Sequence, residues 1–100
     1  KIVGYGFSFP AGEFLFGFWT NVLARQYDPG TSIDVTFRGL TAETVVGIDA
    51  LLGVEQELEL EFVDGNTVIR GFLVKDYPLL IQFLHPEENG DRIEIVLEPE

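Results

Sequence analysis

A row of alternating glutamates and apolar residues, followed by an Asp-Gly pair, is the strongest constraint on the fold of this chain. Over residues 57–62, a glutamate at every odd position alternates with an apolar residue at every even position. This is the period of a strand with one buried and one solvated face. Asp64-Gly65 then precedes a second extended run, Val68 to Val74. Because Asp-Gly readily adopts the positive φ angles of a tight turn, the pattern predicts an antiparallel β-hairpin.

Four more segments have the composition and alternation of strands, and turn residues separate them. In the first of these segments, residues 2–9, Gly4 and Gly6 share one face and indicate either close packing against a neighbour or strong curvature. Pro78 comes directly before the segment Leu79 to Leu84, in a position typical of a strand start. The predicted strands outside the hairpin are residues 2–9, Ser32 to Arg38, Leu79 to Leu84 and Arg92 to Glu98. Residues 86–91 are predicted to form a loop.

Two segments carry helical signals. Thr41 can cap a helix, Gly53 suits a helix end, and the apolar residues between them cluster on one side, so Thr41 to Gly53 is predicted to be a short connecting helix. Glu13 to Tyr27 is ambiguous. The apolar spacing in that segment fits a helix, whereas its aromatic residues and Gly17 fit a strand, and both alternatives stay open.

The length and apolar content fit one domain covering residues 1–100. The chain is 46% hydrophobic, which is enough for a single core. We predict a mainly β fold, with α+β as the alternative. Its architecture would be a small antiparallel barrel or a two-layer sheet of five to six strands with one or two short helices.

Charge and composition exclude several classes of partner and site. Six basic residues against 17 acidic ones give a formal charge of -11, which argues against nucleic acid or an anionic membrane as partner. With no cysteine, thiolate metal sites and cysteine nucleophiles are absent. The longest apolar stretch, Phe14 to Trp19, is too short to span a bilayer, and no signal-peptide pattern is visible. We expect a soluble protein, and its compartment stays unknown.

The acidic row of the hairpin is the first place to look for chemistry. A catalytic carboxyl needs burial or a close like charge to raise its pKa, and a regular solvated strand face supplies little burial. We therefore predict a solvated outer face, with cross-strand pairing to the basic residues Arg70, Lys75 and Arg92. Its alternative role is an acidic binding face for a basic partner, formed by Glu57, Glu59 and Glu61.

His85 is the only histidine. A transition metal bound there would need carboxylates such as Glu87, Glu88 or Asp91, whose spacing is not that of a calcium loop. Neither a nucleophile elbow nor a phosphate loop is present. We therefore predict no catalytic residue, no cofactor site and no metal site, and hence a protein that is not an enzyme.

The aromatic N-terminal half suggests a different kind of site. If one small core cannot hold all nine phenylalanines, the excess forms an exposed interface with a protein partner or with a second copy of the chain. The candidate interface residues are Phe14, Phe16, Phe18 and Trp19.

The order of features in the second half resembles a barrel domain of contractile injection machines. The family comprises the tail-tube hub proteins of bacteriophages and the related VgrG spike proteins of type VI secretion. The similar elements are Asp49 to Gly53 with its Leu-Leu-Gly, Glu57 to Phe62, Asp64-Gly65, Arg70 to Val74 and Arg92 to Leu97. The resemblance implies a structural ring subunit, trimeric in the hubs, that joins tube to spike and has no active site in this domain.

Three functions therefore stand as hypotheses. The first is a structural assembly module, hub-like in the sense of the resemblance, that binds a protein partner or itself as a homo-oligomer. The second is an acidic binding module, such as an inhibitor or immunity protein, that docks on a basic partner. The third and weakest is a small-ligand-binding barrel or an enzyme working through Tyr, Asp and Glu.

Overall fold

The computed structural model describes residues 2–8, 12–20 and 30–99 of the chain. In these ranges the chain forms nine β-strands and no helix. The strands are β1 (Ile2–Ser8), β2 (Phe14–Thr20), β3 (Thr31–Arg38), β4 (Leu40–Asp49), β5 (Val54–Gln56), β6 (Glu59–Val63), β7 (Asn66–Val74), β8 (Leu79–Glu88) and β9 (Glu94–Pro99).

The strands form two antiparallel sheets. One has five strands in the order β1-β2-β8-β4-β5, and the other has four in the order β6-β7-β3-β9. This confirms the mainly β, antiparallel, two-sheet prediction. The barrel alternative is wrong because the described strands remain in two separate sheets. The prediction of five to six strands is too low because it leaves β2 undecided, takes β4 for a helix and omits the short strand β5.

The predicted hairpin is present. Val63 pairs with Asn66 across the turn, and Asp64 and Gly65 have φ angles of 51° and 80°. Positive φ at both central residues is the geometry that an Asp-Gly turn favours. One detail of the prediction is wrong: Phe62, expected to face inward, is 50% exposed, because β6 is an edge strand of its sheet.

The helix predicted for Thr41 to Gly53 is wrong. Leu40 to Asp49 forms β4 and pairs with β8 over its length, from Leu40 opposite Glu88 to Asp49 opposite Leu79. The β-branched residues of this segment suit a strand, and pairing with β8 satisfies backbone groups that a helix would have satisfied locally. Only residues 50–53 turn.

Two other boundaries differ from prediction. Phe14–Thr20 is a strand, which decides the ambiguous segment in favour of a strand up to residue 20, and residues 21–29 lie outside the described ranges. At its other end, β8 continues through His85 and Pro86 to Glu88. The predicted loop over residues 86–91 is therefore wrong in its first half.

Aromatic rings from both sheets fill the core. The ring centre of Phe37 on β3 lies 4.8 Å from that of Phe16 and 4.9 Å from that of Phe83. Phe18 contacts both Phe37 and Phe72 edge to face. Such tilted aromatic pairs add about 0.5–1.5 kcal/mol each beyond the burial of their area. Among the described aromatic residues of the N-terminal half, Phe16, Phe18 and Phe37 are therefore used inside the chain.

The glycines of β1 make room for this core. Gly4 lies opposite Phe18 and Gly6 opposite Phe16 in the β1–β2 register. A Cβ placed on Gly4 would lie 2.8 Å from a ring carbon of Phe18, and one placed on Gly6 would overlap the Phe16 ring. The predicted close packing is confirmed, since any larger residue would have to displace a core phenylalanine.

Candidate functional site

The turn between β4 and β5 exposes an unusual amount of apolar surface. Leu51, Leu52 and Val54 are 69%, 67% and 52% exposed. We call residues 50–54 the apolar turn. Single exposed apolar residues are common on proteins, but three within four positions form a contiguous patch of the kind that marks an interaction site.

Asp49 holds the apolar turn in one conformation. Its Oδ1 accepts hydrogen bonds from the backbone N–H groups of Leu51 and Leu52 at 3.0 and 2.9 Å. Its backbone carbonyl accepts from the Gly53 N–H at 2.8 Å, and the φ of Gly53 is +70°. This is the arrangement in which aspartate caps a turn and glycine supplies the left-handed conformation.

A second contact anchors Asp49 to the β7–β8 connection. The Tyr77 hydroxyl donates to Asp49 Oδ2 at 2.8 Å, and the Asp49 residue is only 8% exposed. The hydrogen bond from the Leu52 amide is the largest cause of a lowered pKa for Asp49, and Tyr77, the Leu51 amide and the charge of Lys75 act in the same direction, against burial. The carboxylate is therefore ionised at neutral pH and accepts from all three donors at once.

The predicted acidic binding face is exposed but partly neutralised. Glu57, Glu59 and Glu61 are all exposed. Arg70 on β7 donates from Nε to Glu61 Oε1 at 2.8 Å and contacts Asp34 at 3.7 Å. The bond to Glu61 is the main cause of a raised pKa for Arg70. The predicted cross-strand pairing is thus confirmed for Arg70.

A β-bulge shapes the surface beside this acidic face. Between Ile33 and Val35 the β3–β7 register shifts, so that Asp34 opposes both Arg70 and Gly71. Asp34 Oδ1 accepts from the Gly71 N–H at 3.0 Å. The bulge borders a shallow, open depression lined by Ser32, Glu57, Leu58, Glu59, Arg70 and Gly71. Such an open, solvated site does not supply the burial that general acid catalysis requires.

The four aromatic residues predicted as an interface do not form an exposed patch in the single chain. Phe16 and Phe18 belong to the buried core. Phe14 packs against that core and stacks on Phe16, with 6.2 Å between the ring centres. Trp19 is half-buried. The exposed leucines lie instead in the segment Thr41 to Gly53, where the helix prediction places Leu51 and Leu52 on one side with the other apolar residues.

His85 lies on β8 with an exposed side chain and a φ of 54°. Within residues 2–8, 12–20 and 30–99, no group of three or more histidine, aspartate or glutamate side chains could hold a metal ion. The described ranges also contain no helix that is long and apolar enough to cross a membrane.

Comparisons with known proteins find no relative of the chain. No protein-family model matches it, and neither a curated protein nor a solved structure matches it significantly.

Proposed function

We propose that this protein is a non-enzymatic assembly module that docks on a protein partner through its apolar turn. The observation that carries the proposal is the combination of exposure and order in that turn. Leu51 and Leu52 are each about two-thirds exposed, yet both backbone amides are fixed by one buried carboxylate. Exposed apolar groups gain free energy when a partner covers them, and a fixed turn loses little conformational entropy on binding.

The size of the expected effect follows from the exposed leucines. Fully burying one leucine side chain contributes about 1.5–3 kcal/mol. About two-thirds of each leucine is still exposed, so two leucines that enter a complementary pocket together contribute about 2–4 kcal/mol to docking, less the cost of association. Contributions of this size are typical of the few residues that dominate the affinity of an interface.

The hub-like role in an injection machine is a narrower form of the same proposal. Its support is the resemblance in the Leu51-Leu52-Gly53 element, which lies in the apolar turn. In this form the docking partner is another structural subunit of the machine. The ligand-binding alternative stays a prediction, and its barrel form has no support, because the described strands form two separate sheets.

Capture experiments test the docking proposal. The purified chain is immobilised and exposed to lysate of its source, in parallel with the double variant Leu51→Ser/Leu52→Ser. Ile95→Ser is the matched control, since Ile95 is an exposed apolar residue on β9, in the other sheet. We expect the same captured protein with the unmodified chain and the control, and its loss with the double variant. If the double variant captures the same protein in the same amount, the apolar turn is not the docking site.

The acidic face supports a second candidate function, docking on a basic partner. Glu57 and Glu59 are exposed, and the net charge of -11 would speed encounter with a basic surface. Glu57→Lys/Glu59→Lys tests this candidate while leaving the Glu61–Arg70 ion pair in place. Loss of a basic captured protein at low salt would support the candidate, whereas an unchanged capture profile would exclude it.

A further inference from the structure

The two sheets have four edges, and three of them carry features that hinder pairing with another strand. On the four-stranded sheet, β6 contains Glu59 and Glu61, and β9 contains Glu94, Glu98 and Pro99. On the five-stranded sheet, β5 has only three residues. Charges, proline and shortness are the usual ways in which natural proteins prevent edge-to-edge association.

The fourth edge, β1, has none of these protections. Ile2–Ser8 is seven residues long and contains neither a charged residue nor proline. Among the described strands, β1 pairs only with β2. Its outer edge therefore presents backbone N–H and C=O groups that no described strand pairs, in a strand long enough to pair with another.

We infer that β1 pairs with β1 of a second copy of this chain in antiparallel orientation, which joins the two five-stranded sheets into one ten-stranded sheet. The charge of the chain supports a second copy as the partner at this edge, because β1 is where two equally charged chains can meet without opposing acidic residues. With a formal charge of -11 on each copy, contact is least opposed where acidic residues are absent. Of the four edge strands, β1 alone carries no acidic residue.

The neighbourhood of β1 supports the same choice. The adjacent strand β2 is also uncharged. Three strands separate β1 from the acidic edge at β5, a distance of about 19 Å at the usual strand spacing. The acidic residue of β5 is therefore farther from the β1 junction than the Debye length of about 8 Å at physiological ionic strength, so its charge is largely screened there.

Backbone geometry restricts the register of this pairing. In an edge strand, alternate residues point their N–H and C=O groups outward. Two copies related by a two-fold axis therefore form these hydrogen bonds only in certain registers. In each of them, the residue numbers of two residues that face each other add up to an even number. The sum of 10 pairs all seven residues of Ile2–Ser8, with position 5 opposite itself and position 3 opposite position 7. Every other even sum leaves residues at the strand ends unpaired.

Single cysteines test both the pairing and its register, because the chain contains no cysteine of its own. Opposed residues of antiparallel strands have Cα atoms about 4.5–5.5 Å apart, within the range that a disulfide spans. Tyr5→Cys is therefore expected to form a covalent dimer on mild oxidation. Val3→Cys and Phe7→Cys are each expected to stay uncrosslinked alone, since like positions would be about 13 Å apart, and to crosslink when mixed. Ile95→Cys on β9 is the control for random collision.

Sedimentation of the unmodified chain supplies the independent measurement. We expect a dimer, and we expect Tyr5→Asp to weaken dimerisation at least tenfold because it places two like charges opposite each other. Ile95→Asp should leave the dimer intact. A monomer at high micromolar concentration, or crosslinking that is equal at positions 5 and 95, would overturn the inference. This pairing is independent of docking by the apolar turn, and Leu51→Ser/Leu52→Ser should sediment as the unmodified chain does.

Discussion

Replacing Asp49 with alanine should release the apolar turn and destabilise the chain measurably. The substitution removes three hydrogen bonds to one carboxylate, from the amides of Leu51 and Leu52 and from the hydroxyl of Tyr77. Hydrogen bonds to charged groups contribute about 1.5–3 kcal/mol each. The sum is an upper bound, because the two amides lie in an exposed turn where water replaces the carboxylate, and bonds to one group are not additive. We expect a loss of about 2–4 kcal/mol.

Urea denaturation followed by circular dichroism measures this loss. For a chain of this size, with an m-value of roughly 1.5 kcal/mol/M, the expected loss lowers the midpoint by about 1.3–2.7 M. Tyr77→Phe removes only one of the bonds and should cost about 1 kcal/mol. In the double variant Asp49→Ala/Tyr77→Phe, the second substitution should add almost nothing, because its partner is already gone.

Small or additive losses of stability in these variants would contradict the role given to Asp49. If Asp49→Ala costs less than about 0.5 kcal/mol, as a typical surface substitution does, the carboxylate does not hold the turn. If the two single losses simply add in the double variant, Tyr77 and Asp49 are not coupled. The first of these results would remove the ordered turn on which the docking proposal depends.

Three further predictions follow from individual contacts. The pKa of Asp49 is lower in the folded chain. Its contribution to stability is therefore present above the pKa of the unfolded chain and is lost as the pH falls through the pKa of the folded chain. Asp49→Asn should make the unfolding free energy depend less on pH below about pH 5. Gly6→Ala should cost about 1–3 kcal/mol by thermal unfolding, because its Cβ would overlap the Phe16 ring, whereas Gly17→Ala, whose Cβ would lie 3.3 Å from a Leu80 methyl, should cost less. Arg70→Ala should change the stability measured in urea no more than a typical surface substitution does, because its ion pairs are exposed. A larger loss would mean that the bulge needs this side chain.

Local signals explain why the central hairpin could be predicted. The alternation around Glu59 and Glu61 and the Asp64-Gly65 turn encode structure within a few residues. The prediction that Phe62 faces inward is wrong because sequence alternation does not reveal which strand lies at a sheet edge. Its exposure depends on the strand order β6-β7-β3-β9, which is a property of the whole sheet.

Long-range pairing explains why β4 and its turn could not be predicted. Thr41 and Gly53 resemble helix caps, and only pairing with β8 selects the strand. The exposure of Leu51 and Leu52 follows from that same pairing, which ends at Asp49 opposite Leu79. One local signal of the turn was present in the sequence. Asp49 lies two and three residues before the amides that it caps, and Gly53 follows them, which is a pattern typical of a turn.

The affinity of the captured partner for the unmodified chain and for Leu51→Ser/Leu52→Ser tests the docking proposal most directly. Both proteins are purified, and their dissociation constants are measured by titration calorimetry. Loss of about 2–4 kcal/mol of leucine burial predicts that the variant binds at least about 30-fold more weakly. A variant that folds normally and binds within threefold of the unmodified chain would contradict docking through the apolar turn.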